Sequence, residues 1–207
     1  MDRALDLTVL AIRPYEARDL SALYAICLRT GAAGQDATSM VDDPTLFGEL
    51  FAAPYAVLEP EHALVLADDG ATVLGYALGA LDTCEFEARC ATEWWPIAQE
   101  RHPLTTGGRR LDELLLAMIH APHPAADATV ERYPSHVHID LLPEAQGAGW
   151  GRRMMEALFA RLAEDGSTGV HWGVSRANES ALGFYRHLGA TQIAEDAMTH
   201  RFGWPLP

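Results

Sequence analysis

A chain of 207 residues is long enough to bury one substantial core, and 49% hydrophobic with 21% charged residues is the composition of a folded globular protein rather than a disordered one. A net charge of −14 argues against nucleic acid and anionic membrane surfaces as partners, since both reward clustered Lys and Arg; no apolar run approaches the roughly 20 residues of a membrane helix. The start Met1-Asp2-Arg3 lacks a basic-then-apolar leader, and Cys27, Cys84 and Cys90 are scattered without CxxC spacing, which together read as a soluble chain in the reducing cytoplasm.

Strands and helices alternate along the chain without an internal repeat. Residues 8–13 alternate as a strand that Pro14 breaks. A helix opens at Asp19, with Leu20, Leu23, Tyr24, Cys27 and Leu28 on one face, and residues 30–40 form a small-residue loop. Pro44 suits the first turn of a short helix reaching Phe51. Two apolar runs, 62–67 and 72–81, flank the hairpin signal Asp68-Asp69-Gly70. An insert follows over about residues 83–133: one aromatic helix over 85–99, a break at Gly107-Gly108, and an apolar helix over 111–119. Its helices are too apolar for a linker, so the expectation is an insert packed on the sheet and one domain over 1–207. Then come a strand (136–142), a glycine-bearing turn (143–151), a helix (152–163), a buried strand (169–174), a helix (178–188) ended by Gly189, and two short antiparallel strands at 191–194 and 198–202. The periods give an α/β fold on a mixed sheet.

The stretch that carries chemistry is Ile139 to Arg152. Gly147, Gly149 and Gly151 fall where a strand turns into a helix, so the backbone can approach a ligand closely and aim several N–H groups at one point. The positive end of the helix dipole makes that point suit a phosphate or pyrophosphate, and Arg152 can add a charge-assisted contact or lie solvated. A P-loop requires GxxxxGK[ST], which is missing here. A Rossmann dehydrogenase requires GxGxxG early in a βαβ unit with an acid about 20 residues on, and this chain has GxGxG late and no such acid. A merely structural turn is as good a reading of the glycines taken alone.

Gln146-x-x-Gly149-x-Gly151 resembles the Q/R-x-x-G-x-G/A motif of the GNAT N-acetyltransferases. Asn178-x-x-Ala181-x-x-Phe184-Tyr185-x-x-x-Gly189-Ala190 resembles that family's distal block, with Ala190 in place of the usual Phe. The two motifs stand in the family's order, one buried strand apart. More narrowly, Gly75-Tyr76-Ala77-Leu78-Gly79 with Asp82, Trp95-Pro96-Ile97, and Tyr133-Pro134-Ser135 are similar to the C-terminal acetyltransferase-like domain of animal O-GlcNAcase, which also has a long helical insert before the fourth strand. The family's phosphate-binding glycines are degraded in that domain, whereas Gln146, Gly149 and Gly151 are intact here.

The resemblance implies a GNAT fold: a mixed, mostly antiparallel sheet flanked by helices, with acetyl-CoA in a V-shaped split between the fourth and fifth strands and no metal. It implies that backbone groups near Leu141 and Leu142 pair with the pantetheine arm, that the N–H groups of Gln146, Gly147, Ala148, Gly149, Trp150, Gly151 and Arg152 hold the pyrophosphate, and that Asn178 bonds the pantetheine from the opposite side. An acceptor amine then attacks the thioester directly, and Tyr185 protonates the departing thiolate. Core packing beside Ala181, Leu182 and Leu188 is the competing reading of Tyr185, and an N-cap that of Asn178. His136, His138 and Asp140 share one face of their strand, and Asp140 is the candidate base or else a structural hydrogen-bond partner. Gln35, Asp36 and Thr38 in the first loop, with Trp94, Trp95, Tyr133 and Trp172, are candidates for an acceptor cleft, against core roles for the aromatics. The histidines at 120, 123, 136 and 138 have no acids or cysteines at ligand spacing, so structural or surface roles are expected of them. The function expected is an acetyl-CoA-dependent N-acetyltransferase acting on a small-molecule amine or a protein amine, as monomer or homodimer. The alternative is a pseudo-acetyltransferase that binds acetyl-CoA, CoA or a peptide without turnover.

Overall fold

The computed structural model describes residues 9–122, 124–125 and 127–207. Thr8 and His123, which the readings above include, lie outside them. Strand β1 (Ala11–Pro14) leads into α1 (Leu20–Thr30), α2 (Leu46–Phe51) and α3 (Ala53–Leu58). Strands β2 (Ala63–Ala67) and β3 (Val73–Ala80) form a hairpin whose turn closes with Asp68 Oδ1 accepting from the Thr72 N–H. The left-handed residue in that turn is Ala71 at φ 65°, not Gly70.

The insert departs from the single aromatic helix expected over 85–99. It is α4 (Thr83–Arg89), a π turn (Cys90–Trp94) and α5 (Trp95–Arg101). Pro96 has no N–H to give to the carbonyl four residues back, so the regular ladder breaks just ahead of it. Asp82 caps α4 by accepting from the Glu85 N–H at 2.9 Å. Helices α6 (Arg110–His120) and α7 (Asp127–Val130) complete the insert. Its hold on the rest is polar as well as apolar: the buried carboxylate of Asp112 accepts from the N–H groups of Asp42 and Asp43 at 3.0 Å each.

Strand β4 (Ser135–Leu141), α8 (Trp150–Glu164), β5 (Gly169–Ser175), α9 (Glu179–Leu188), β6 (Thr191–Glu195) and β7 (Thr199–Pro205) follow. The sheet order is β1-β2-β3-β4-β5-β7-β6, antiparallel throughout except where β4 meets β5. Side chains alternate between two cores. Leu23, Ile26, Tyr76, Leu78, Phe86 and Ile119 pack with α1–α3 and the insert on one face. Val137, Met154, Leu158, Leu162, Val170 and Phe202 pack under α8 and α9 on the other. Gly79 allows α8 to lie flat, because a β-carbon there would come within 3.2 Å of Leu158.

Candidate active site

Strands β4 and β5 pair only at Ser135–Val170 and His136–His171, while β5 goes on pairing with β7 as far as Ser175. Beyond His136 the two strands part, leaving a wedge in the middle of the sheet. The Leu142 N–H donates to Leu74 O at 2.8 Å, so by strand alternation the amides of Leu142, Asp140 and His138 face β3, and those of Leu141 and Ile139 face the wedge. This corrects the expectation for Leu142. Its N–H is engaged with Leu74, its carbonyl accepts from Ala145, and its side chain is buried. The Leu141 N–H faces the wedge, but its carbonyl already accepts from Gln146 Nε2 at 2.8 Å, which folds the glutamine back over the turn.

A groove of about 570 Å³ fills the wedge. Ile139, Asp140 and Leu141 form its floor. Gln146, Gly147, Gly149, Gly151 and Arg152 form its mouth, and Asn178, Ser180, Ala181, Phe184 and Tyr185 form a wall from α9. Thr30, Gly34 and Gln35 close it from the end of α1. At the mouth, Gly147 and Gly149 both take φ 79°, the left-handed region, with nothing within 4 Å of a β-carbon at either place. The first helical bond of α8 runs from the Arg153 N–H to Gly149 O, so the N–H groups of Trp150, Gly151 and Arg152 precede any intrahelical acceptor. With the dipole of a 15-residue helix behind them, they are arranged as groups that could hold an anion. Gly151 also lets α9 close in, since a β-carbon there would lie 3.3 Å from the Phe184 ring. The Arg152 side chain is exposed and paired with Glu156 at 2.8 Å. The Trp150 ring lies under the Arg153 guanidinium at 4.7 Å and, like Ala148, does not line the groove.

Asn178 caps α9, its Oδ1 accepting from the Ala181 N–H at 3.0 Å, while its amide lines the groove against Gly34. The residue therefore serves as helix cap and lines the groove at once. Tyr185 is 7% exposed among Trp172, Phe184 and Phe202 and still borders the groove. Burial first, then the nearby Asp140 charge, pushes its phenol well above the ordinary range, so it holds its proton. Asp140 accepts at Oδ2 from the hydroxyl of Tyr76, 2.7 Å away. Burial holds its carboxyl above the usual carboxylate range, against the opposing influence of His138, Tyr76 and Thr30.

The structure does not bring the expected acceptor aromatics to the groove. Trp94 belongs to the core beside α2, and its Nε1 donates to Glu49 O at 3.0 Å. Trp172 is 4% exposed in the core under α8 and α9. Both bury large apolar rings, the common fate of Trp in a sheet or an apolar helix. Asp36 lies outside the groove, exposed, capping the Thr38 N–H at 2.8 Å; Gln35 alone of that pair lines it. The histidines have protein partners: His120 with His102 O, His136 with Thr83 Oγ1, and His138 with Phe51 O. Sequence reasoning missed Thr30, Ile139 and Ser180. Thr30 carried one usable signal, a hydroxyl ending an apolar helix just before the glycine-bearing loop.

A wedge opening beside a parallel strand pair, a glycine turn at a helix start and a protonated tyrosine on the facing helix coincide with a family pattern. The model of the acetyltransferase (GNAT) family matches residues 34–190. The chain belongs to the acetyltransferase (GNAT) family. Among GNAT relatives of known structure, it is 40% identical to SsHAT with a TM-score of 0.87, over 95% of this chain and 98% of that one. It is 27% identical over 190 residues to protein O-GlcNAcase of Rattus norvegicus, covering 90% of this chain and 20% of that protein. The chain thus spans about a fifth of the length of this curated relative. Mycothiol acetyltransferase of Pseudarthrobacter chlorophenolicus is 27% identical over 145 residues, 70% of this chain and 43% of that protein. A GNAT phosphinothricin acetyltransferase from Sinorhizobium meliloti, solved in complex with AcCoA, shares the fold at 17% identity and a TM-score of 0.58, over 95% and 88% of the two chains. Among the described residues, no helix is long and apolar enough to cross a membrane.

Proposed function

We propose that the chain is an acetyl-CoA-dependent N-acetyltransferase in which the amine attacks the thioester directly. The observation that carries this reading is the coincidence, in one groove, of the parted β4 edge, the unpaired N–H groups at the start of α8 and the Tyr185 hydroxyl. The groove's volume of about 570 Å³, lined from the glycine turn to Asp140, is large enough for part of an extended thioester ligand.

In this mechanism the N–H groups of Gly147 to Arg152 hold the pyrophosphate. The Ile139 backbone and the Leu141 N–H pair with the amides of the pantetheine arm as a missing strand would, and Asn178 and Gln35 approach it from the other side. These contacts place the thioester carbonyl near Asp140 and Tyr185. Asp140 takes a proton from the acceptor ammonium. The neutral nitrogen attacks the carbonyl carbon, the C–S bond breaks as Tyr185 gives its proton to the sulfur, and the second proton lost from the acylated nitrogen restores the Tyr185 phenol, so no acyl-enzyme forms. An amine carried by a small molecule or a protein is the acceptor class.

Calorimetric titration with acetyl-CoA tests the cofactor reading. Binding that Gly149→Trp abolishes supports it, and no binding to folded wild-type protein overturns it. Binding without thiol release over a panel of amines would replace the enzyme with a carrier of acetyl-CoA.

A further inference from the structure

The groove raises a question that its ligand contacts leave open: where the proton goes after Asp140 takes it. The groups that face Asp140 are Tyr76 from β3, Cys27 and Thr30 from α1, Tyr185 from α9 and His138 from its own strand. The two phenols and the thiol are pushed up by burial and keep their protons, and the Thr30 hydroxyl donates to Ile26 O at 2.8 Å. None of these four can relieve a protonated carboxyl near neutral pH. Among the described residues around Asp140, only His138 offers a basic lone pair.

The geometry of His138 suits the task. Its Nδ1 lies 2.6 Å from the carbonyl of Phe51, which has no proton to give, so Nδ1 carries the hydrogen and donates. That contact fixes the tautomer and leaves Nε2 as the vacant nitrogen of the neutral ring. Nε2 is 3.5 Å from Asp140 Oδ2, the same oxygen that Tyr76 holds at 2.7 Å. The Phe51 and Tyr76 rings flank the imidazole, with centroids at 6.1 and 5.6 Å. The side chain of His138 is 31% exposed against 22% for Asp140, so the imidazole is the more solvent-facing of the two. Its other titratable neighbour is His136, which burial, with His171 and His138, pushes down to about 3 and so keeps neutral.

We propose that His138 is the proton outlet of Asp140, a positioning and relay residue two places along the same strand. This rests on the reading of Asp140 as the base. In each cycle an N–H bond of the acceptor breaks and an O–H bond forms on Asp140. That O–H bond then breaks as Nε2–H forms, and the imidazolium releases the proton to solvent. The Phe51 carbonyl keeps Nε2, not Nδ1, turned to the carboxylate, and Tyr76 keeps Oδ2 turned to Nε2.

The test needs no acceptor. Heteronuclear NMR of the histidine ring nitrogens is followed against pH in the full chain, with the His138 signals assigned by their loss in His138→Gln. The expected result is an Nδ1 that stays protonated throughout and an Nε2 signal that responds to the Asp140 titration in wild type and loses that response in Asp140→Asn. His62 and His102, remote from the groove, should give the same pH profile in both proteins. An identical His138 profile in both proteins, or an Nδ1 that loses its proton, overturns the outlet. Whether Asp140 is the base is read separately, from thiol release with acetyl-CoA and poly-L-lysine in Asp140→Asn. Unchanged turnover there removes the base while leaving the measured coupling intact.

Discussion

His62 is bonded at both ring nitrogens to carboxylates, to Glu59 Oε2 at 3.0 Å and to Asp165 Oδ2 at 2.9 Å, with its side chain only 3% exposed. Because a carboxylate can only accept, both nitrogens donate and the ring is an imidazolium. Asp165 follows the last turn of α8 and Glu59 also accepts from the Leu81 N–H, so this one ring fastens the helix to the end of β3.

That clamp makes stability depend on pH. Burial pulls the imidazole down, but its bonds to Glu59 and Asp165 outweigh burial and leave it raised. A raised folded value stabilises fully below the unfolded value of about 6.5 and is lost as pH rises through the folded one. Wild type should therefore lose more melting temperature than His62→Gln does as pH rises from about 6 into the alkaline range, with about 1–3 kcal/mol separating them at the acid end. Parallel melting curves for the two proteins would contradict the clamp.

Gly149→Ala separates strain from clash. Space around the site is open, so the cost arises from φ 79° alone, about 1–2 kcal/mol, and Gly149→Asn should cost less. Thermal melts check this. Acetyl-CoA affinity should fall with Gly149→Ala beyond what stability explains, because the substituted turn relaxes its aim.

Tyr185→Phe should leave the melt nearly unchanged, since the ring contacts remain, yet lower the turnover rate by a factor of about 10²–10⁴ with little change in acetyl-CoA affinity. The raised phenol adds a further expectation: the wild-type rate has no alkaline decline from Tyr185 in the ordinary tyrosine range. Stopped-time thiol release across pH reads both. Equal rates in the two proteins would return Tyr185 to a packing role.

Trp94→Phe checks where the aromatics belong. It removes the bond to Glu49 O and some buried area, so about 1–2 kcal/mol of stability should go, while the apparent affinity for acceptor and cofactor stays as it was. A selective loss of acceptor affinity would put Trp94 back in the cleft.

The legible parts of the fold were those set by local chemistry. Period-two alternation put His136, His138 and Asp140 on one face, and Asn178 and Gly189 marked the ends of α9. The glycine turn was legible because positive φ narrows the residue choice. What sequence could not reveal were tertiary facts. The ring of Trp172 turns toward α8 because β5 alternates that way, and Trp94 turns inward because α2 offers a carbonyl. The backbone of Leu142 is consumed by Leu74, a residue 68 positions earlier. The π turn at Cys90–Trp94 was readable from Pro96 in principle, but an aromatic helix pattern masked it.

The wedge between β4 and β5 has a consequence for how the protein holds together. Most sheets confine their unpaired edges to the rim, where charge and short strands guard them. This sheet carries two such edges at its centre, with only two residue pairs bridging its halves directly. A ligand that pairs with the inner edge is then a removable piece of the fold itself. The halves should open as partly independent units without it and melt as one with it, so the concentration of that ligand sets the cooperativity of unfolding as well as its midpoint.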